Sequence, residues 1–155
     1  MDFDVVTIVG EGKPSLYSRL GDLIVEIQRL VQNPVAVITN GALLCEPDVR
    51  DELMNADIVL PTLDAFDSES FKRINRPHTS LVFKDVYKGL VEFSHAYKGE
   101  LWIEVMIMDG INDDLESLGK IKELLEDVTY SRVYINTPVR PPAESWVRQS
   151  SSDSI

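Results

Sequence analysis

The sequence predicts an α/β fold built on a parallel sheet, and three observations lead there. Five short runs rich in β-branched residues each stop at Gly, Asn, Asp or Pro. The segments between them carry apolar residues at the 3.6-residue period of an amphipathic helix. Strand and helix alternate at close to the ~30 residues of a βαβ unit, whose crossovers are right-handed and whose strands run parallel.

The elements follow in order. Residues 3–9 form a first strand that stops at Gly10. After the turn Gly10 to Pro14, apolar positions Leu16, Leu20, Leu23, Ile24, Ile27, Leu30 and Val31 mark one helix face, ended by Asn33 and Pro34. Residues 34–39 form the second strand, closed by Asn40 and Gly41. Pro47 and the acidic residues after it suit the N-terminus of a helix running to Met54. A third strand spans 57–63, and Asp67 caps a short helix through Ile74. Val82, Val86, Leu90 and Phe93 give the stripe of a longer helix that stops at Lys98 and Gly99. Residues 101–108 form the fourth strand. Asn112 or Asp113 caps a helix carrying Leu115, Leu118, Ile121 and Leu125, and residues 132–136 form the fifth strand. One domain over residues 2–147 and a polar tail at 148–155 are expected.

Such a chain folds either as an open doubly wound sheet or as part of a β/α barrel. Polar or glycine-rich residues just past every strand favour the barrel, in which all these ends converge on one face. Each alone is also ordinary turn chemistry.

Composition narrows the function. Fifteen Lys and Arg stand against 26 Asp and Glu, a formal net charge of −11. A surface this acidic repels phosphate backbones, which argues against nucleic-acid binding by this chain alone. No apolar run approaches the ~20 residues that cross a bilayer and no basic, cleavable leader precedes Asp2, so no membrane role and a cytoplasmic location are expected. The single cysteine, Cys45, cannot supply a disulfide, a four-thiolate zinc site or a thiolate-ligated iron–sulfur cluster. His78 and His95 lack neighbouring ligands and read as ordinary surface or helix-end residues. Glu104 shares one face of its strand with Trp102 and Met106; alternation does not say whether that face points into a barrel or towards helices.

Taken together, the strand ends resemble those of the radical S-adenosylmethionine (SAM) superfamily, and among its branches the tRNA wyosine-base synthases and their relatives. The residues that carry the resemblance are 7–17, 37–41, 60–65 with 71–77, 103–112 and 136–144. The resemblance implies a radical SAM-like partial (β/α) barrel that lacks the first strand of the family. It also implies a set of cofactor-facing positions. Gly10, Gly12, Lys13 and Pro14 match a Gly-x-Gly-Glu-Pro turn whose backbone helps hold the methionine amino group of SAM; the Glu of that motif is Lys13 here. Thr39, Asn40 and Gly41 follow at the next strand end. Thr62 and Asp64 match a Ser-x-Asp pair that binds the ribose hydroxyls. Glu104, Asn112, Asn136 and Arg140 match later strand ends approaching SAM or substrate.

One feature of the family is missing. Its [4Fe–4S] cluster sits on Cys-x3-Cys-x2-Cys, and Cys45 stands elsewhere. The resemblance therefore implies SAM as cofactor, with the cluster held only by a longer polypeptide or a partner chain that supplies the missing segment. Two other readings remain: a cluster-free module that binds SAM or a nucleotide, or completes a barrel without catalysis, and an acidic βα protein with no ligand. The wyosine branch acts on tRNA, but this sequence lacks the basic surface that docks tRNA, and tRNA is not assigned as its substrate.

Overall fold

A computed structural model describes residues 4–10 and 18–138. Gly12, Lys13, Pro14 and Arg140 lie outside these residues, as does the expected tail at 148–155. The elements are β1 (Val6–Gly10), α1 (Leu20–Leu30), β2 (Val35–Thr39), a 3-10 turn (Ala42–Cys45), α2 (Pro47–Leu53), β3 (Ile58–Pro61), α3 (Ser68–Asn75), α4 (Phe83–Ala96), β4 (Glu100–Met106), α5 (Leu115–Glu126) and β5 (Arg132–Asn136).

All five strands join one sheet in the order β1-β2-β3-β4-β5, and every pair is parallel. This order decides between the two architectures. Right-handed crossovers that always step in the same direction stack every helix on one face, whereas a doubly wound sheet reverses its order and covers both. The fold is α/β, a partial barrel.

The side chains obey that geometry. Val35, Val37, Val59, Leu101, Ile103 and Val105 form one core with Ile24, Leu53, Leu90, Phe93 and Ile121 from the helices. The alternate residues face the other way. Register pairs Trp102 with Arg132, Glu104 with Tyr134 and Met106 with Asn136 on that second face, which no described helix covers. Glu104 therefore points away from the helices, which alternation alone left open.

Three local features depart from the sequence reading. Leu23 and Leu30 are 49% and 83% exposed, because the stripe of α1 that meets the sheet is Leu20, Ile24 and part of Ile27, and the other two sit on its flank. The cap of α5 is Asp114, whose carboxylate accepts from Ser117 N (2.9 Å) and Ser117 Oγ (2.6 Å), while Asp113 Oδ1 accepts from Gly110 N (2.9 Å). Leu115 is then the first helical residue and faces solvent. The 3-10 turn at Ala42–Cys45 has too few residues for a periodic signal. It fits because Gly89 lets α4 approach: a Cβ there would stand 2.1 Å from Leu44 O. Asp67 caps α3 as expected, in a reciprocal box with Ser70 (Ser70 N to Asp67 Oδ1, 2.7 Å; Asp67 N to Ser70 Oγ, 3.0 Å).

Candidate functional site at the strand ends

Parallel strands end on one edge, and hydrogen bonds tie those ends to one another. Gly10 pairs with Thr39 at the close of β1 and β2. Thr39 is buried, and its Oγ1 accepts from Gly41 N (3.2 Å). The exposed Asn40 accepts from Ala42 N through Oδ1 (3.0 Å), an Asx turn that reverses the chain. Gly41 supplies the left-handed conformation this turn needs, with φ at +75°.

The next ties cross to β3 and β4. Thr62 N and Thr62 Oγ1 both donate to Thr39 O (3.2 and 3.3 Å). Thr62 pairs with Glu104, and Leu63 N donates to Glu104 O (2.9 Å). Asp64 Oδ1 accepts from Met106 N (2.7 Å). Ile107 N donates to Asn136 O (2.8 Å), and Asn136 Nδ2 donates to Glu104 Oε1 (2.8 Å).

Asp64 has the most altered carboxyl group of this edge. Loss of water around it, reinforced by the charge of Glu104, lifts its pKa to about 7 against the pull of the Met106 N–H. Among the described residues none donates to its second oxygen, so Oδ2 keeps its accepting capacity at the rim. An acceptor of this kind fits a diol or an N–H group.

Asn112 stands apart from the others. It is fully buried, and its amide is consumed by three backbone groups: Oδ1 accepts from Met108 N (2.8 Å), and Nδ2 donates to Met106 O (2.9 Å) and Asp64 O (3.2 Å). It braces the edge from beneath. Of the positions read from the sequence, the fold thus gathers Gly10, Thr39, Asn40, Gly41, Thr62, Asp64, Glu104 and Asn136 along one edge, with Asn112 under it.

The residues do not fit an iron–sulfur cluster. Cys45 lies on the 3-10 turn, its thiol near Ala42 O (3.5 Å), and burial pushes its pKa up, away from thiolate. Among the described residues no three His, Cys, Asp or Glu side chains group as a metal site. His78 bonds Ser80 (2.8 Å), and His95 lies 2.9 Å from Asp127 O. No described helix is long and apolar enough to cross a membrane.

One further place carries no mark in the sequence. Behind the edge, between the residues after β3 and helices α3 and α4, lies a cavity of about 20 Å3. Asn75 lines it, and Asn75 Oδ1 is buried with no hydrogen-bond partner. The aromatic rings of Phe71, Phe83 and Tyr87 line it too, with Phe83 set 5.8 Å from Phe71 and 6.1 Å from Tyr87. No periodicity marks such a place, because it arises where two helices meet a loop.

Comparison with known proteins supplies relatives and a fold. No protein-family model matches this sequence. The chain is 38% identical over 145 residues to a UPF0026 protein of Methanocaldococcus jannaschii, covering 94% of this chain and 45% of that protein. It is 35% identical over 139 residues to a UPF0026 protein of Helicobacter pylori strain J99, covering 89% of this chain and 45% of that protein. A protein of Brachyspira hyodysenteriae named GTPase Obg is 39% identical over 139 residues, covering 90% of this chain and 20% of its own length. The chain spans less than half the length of these three relatives.

Among solved structures, a domain of pyruvate-formate lyase-activating enzyme from Bacteroides vulgatus superposes with a TM-score of 0.73 at 21% identity, over 96% of this chain and 86% of that one. A radical SAM methyltransferase from Sphaerobacter thermophilus gives 0.71 at 15% identity, over 99% of this chain and 46% of that one. TYW1 with a lysine-pyruvate adduct bound gives 0.64 at 22% identity, over 88% and 42%. The shared feature is the fold, a parallel sheet with helices on one side, as in these enzymes' partial barrels.

Proposed function

We propose that this chain is the SAM-facing portion of a radical SAM-type enzyme, with SAM bound at the edge formed by the C-terminal ends of its strands. The observation that carries the reading is Asp64. A carboxylate stands at the end of β3, one oxygen held by Met106 N and the other without a donor among the described residues, on a partial barrel shaped like those of radical SAM enzymes. The ribose diol of SAM supplies a donor for such an oxygen. Thr62, Glu104, Asn40 and Asn136 lie along the same edge to meet the rest of the molecule.

The chain's own residues bind and orient on this reading. The edge is fixed by main-chain ties, so a ligand meets a preformed surface rather than one it must assemble. The thiolates of a [4Fe–4S] cluster come from polypeptide beyond these 155 residues, in the same protein or a partner, since Cys45 cannot supply them.

Calorimetric titration of SAM into the 155-residue protein tests the proposal. Saturable binding is expected, with Asp64→Ala weakening it roughly tenfold to a hundredfold, the usual effect of losing a charged acceptor. No saturable binding, or equal affinity in the two proteins, refutes it. The single cysteine favours a second reading: a module that binds SAM or completes a barrel without its own chemistry. Both readings expect neither iron–sulfur absorbance nor 5′-deoxyadenosine from the 155-residue protein after anaerobic reconstitution; only the first expects both once a segment bearing Cys-x3-Cys-x2-Cys is supplied.

A further inference from the structure

The cavity behind the strand ends has a chemistry of its own. It has room for one small non-hydrogen atom with its protons, about the space one water occupies. Its lining combines two features that rarely serve the same apolar pocket. Phe71, Phe83 and Tyr87 present ring surfaces, and the Tyr87 hydroxyl is already committed to Leu124 O (2.7 Å). The side-chain oxygens among the rings accept rather than donate. Asn75 Oδ1 is buried without a partner, Asp64 is a carboxylate with one unengaged oxygen, and Thr62 has already given its proton to Thr39 O. Asn40, which also borders the cavity, is exposed to solvent.

An occupant must therefore bring donors. Water brings two but carries no charge. An ammonium group brings donors alone, carries the charge that Asp64 lacks opposite it, and is attracted by aromatic ring faces. We propose that this cavity is an ammonium-binding pocket, taking the NH3+ of a primary amine or a free ammonium ion between Asn75, Asp64 and the rings of Phe71, Phe83 and Tyr87. The same ligand satisfies the orphaned amide oxygen and supplies the missing counter-charge. The elevated proton affinity of Asp64 is what a buried carboxylate shows while that cation is absent.

The test is a titration of the labelled 155-residue protein with methylammonium chloride, followed by NMR at constant ionic strength. SAM is absent, so the outcome is independent of the nucleoside reading. Saturable shifts are expected at the Asn75 side-chain amide and the Asp64 carboxyl carbon, and none with tetramethylammonium, which is bulkier and has no N–H. Asn75→Leu and Asp64→Asn should each weaken methylammonium binding roughly tenfold or more. Asn75→Asp, which keeps the acceptor and adds charge, should tighten it and guards against a leucine variant that fails to fold. Hexylammonium separates the two sources: equal binding identifies the head group of a larger ligand, and binding of ammonium and methylammonium alone identifies a free ion. Linear shifts matching those of tetramethylammonium, or unchanged affinity in a folded Asn75→Leu protein, would show that the cavity holds only water and overturn the proposal.

Discussion

Asp64 Oδ1 accepts a hydrogen bond from Met106 N at 2.7 Å, joining the end of β3 to the end of β4. Regular pairing of these strands is confined to Ile58 with Glu100 and Val59 with Leu101, plus one bridge at Thr62 and Glu104. The side chain continues in its own way a seam that the backbones begin. The cost is electrostatic, because the carboxylate that makes the tie is partly stripped of water and lies near Glu104.

The first prediction follows from that cost. The Asp64 pKa rises from an ordinary 3.8 to about 7 in the folded protein. Between those values the folded state holds a proton that the unfolded state has lost, so stability falls as pH rises through this window and the penalty stays constant above it. Asp64→Asn keeps an acceptor and cannot ionise. Denaturant unfolding should show the variant more stable than the native protein at pH 8, by up to about 4 kcal/mol. The difference should shrink steadily towards pH 4. A pH-independent gap would contradict it.

Asn112 supplies the second. Asn112→Leu leaves Met108 N, Met106 O and Asp64 O without their partner in the interior. At ~1–3 kcal/mol for each stranded group, a loss of at least about 3 kcal/mol is expected. Asn40→Ala, on the exposed side of the same edge, should cost no more than ~1 kcal/mol. Thermal melts of the two variants side by side decide whether Asn112 is a brace.

Two of the glycines on the covering helices, Gly89 and Gly119, should respond in opposite directions. At Gly89 a Cβ would meet Leu44 O at 2.1 Å, so Gly89→Ala must push α4 off the 3-10 turn and lose about 2 kcal/mol or more. At Gly119 a Cβ meets nothing within 4 Å, and Ala there gains helix propensity, about 0.5–1 kcal/mol. Equal melting temperatures for both variants would show that the close approach of α4 does not limit packing.

The edge of the sheet gives the last. Among the described residues β1 pairs only with β2, and Val9 on it is 66% exposed. An open, apolar, β-branched edge favours strand-to-strand association. Val9→Lys should lower self-association in sedimentation velocity without lowering the melting temperature. A native protein that is monomeric at high concentration would remove the basis for this.

Strand positions were legible because each β-branched run ends at a residue that disfavours strands, as β5 at residues 132–136 shows in full. Strand order was legible only through the polar residues past every strand, which favoured the barrel, since periodicity records which residues share a face but not which strands are neighbours. For the same reason Glu104 was legible as a member of a face and not as a residue turned away from the helices. The cap of α5 is Asp114 and not Asn112 or Asp113, because neighbouring capping residues are equivalent in sequence and only the fold, which engages Asn112 with Met108 N and Asp113 with Gly110 N, distinguishes them. Asn75 was silent for a different reason. Its significance lies in a missing partner, and whether a partner is missing depends on the whole surrounding fold.

The ties along the strand ends run largely between main-chain atoms: Thr62 N to Thr39 O, Leu63 N to Glu104 O, Ile107 N to Asn136 O. Peptide groups are the same in every protein, so the spacing of this edge does not depend on what the outward side chains are. Asn40 and Asn136 can therefore change identity with little effect on the scaffold, whereas Asp64 and Asn112, whose side chains take the place of peptide groups, can be replaced only by side chains that keep the same hydrogen bonds. Divergent descendants of such a chain would differ at the first pair, acquiring new ligands, while keeping the hydrogen bonds of the second pair and the shape of the sheet.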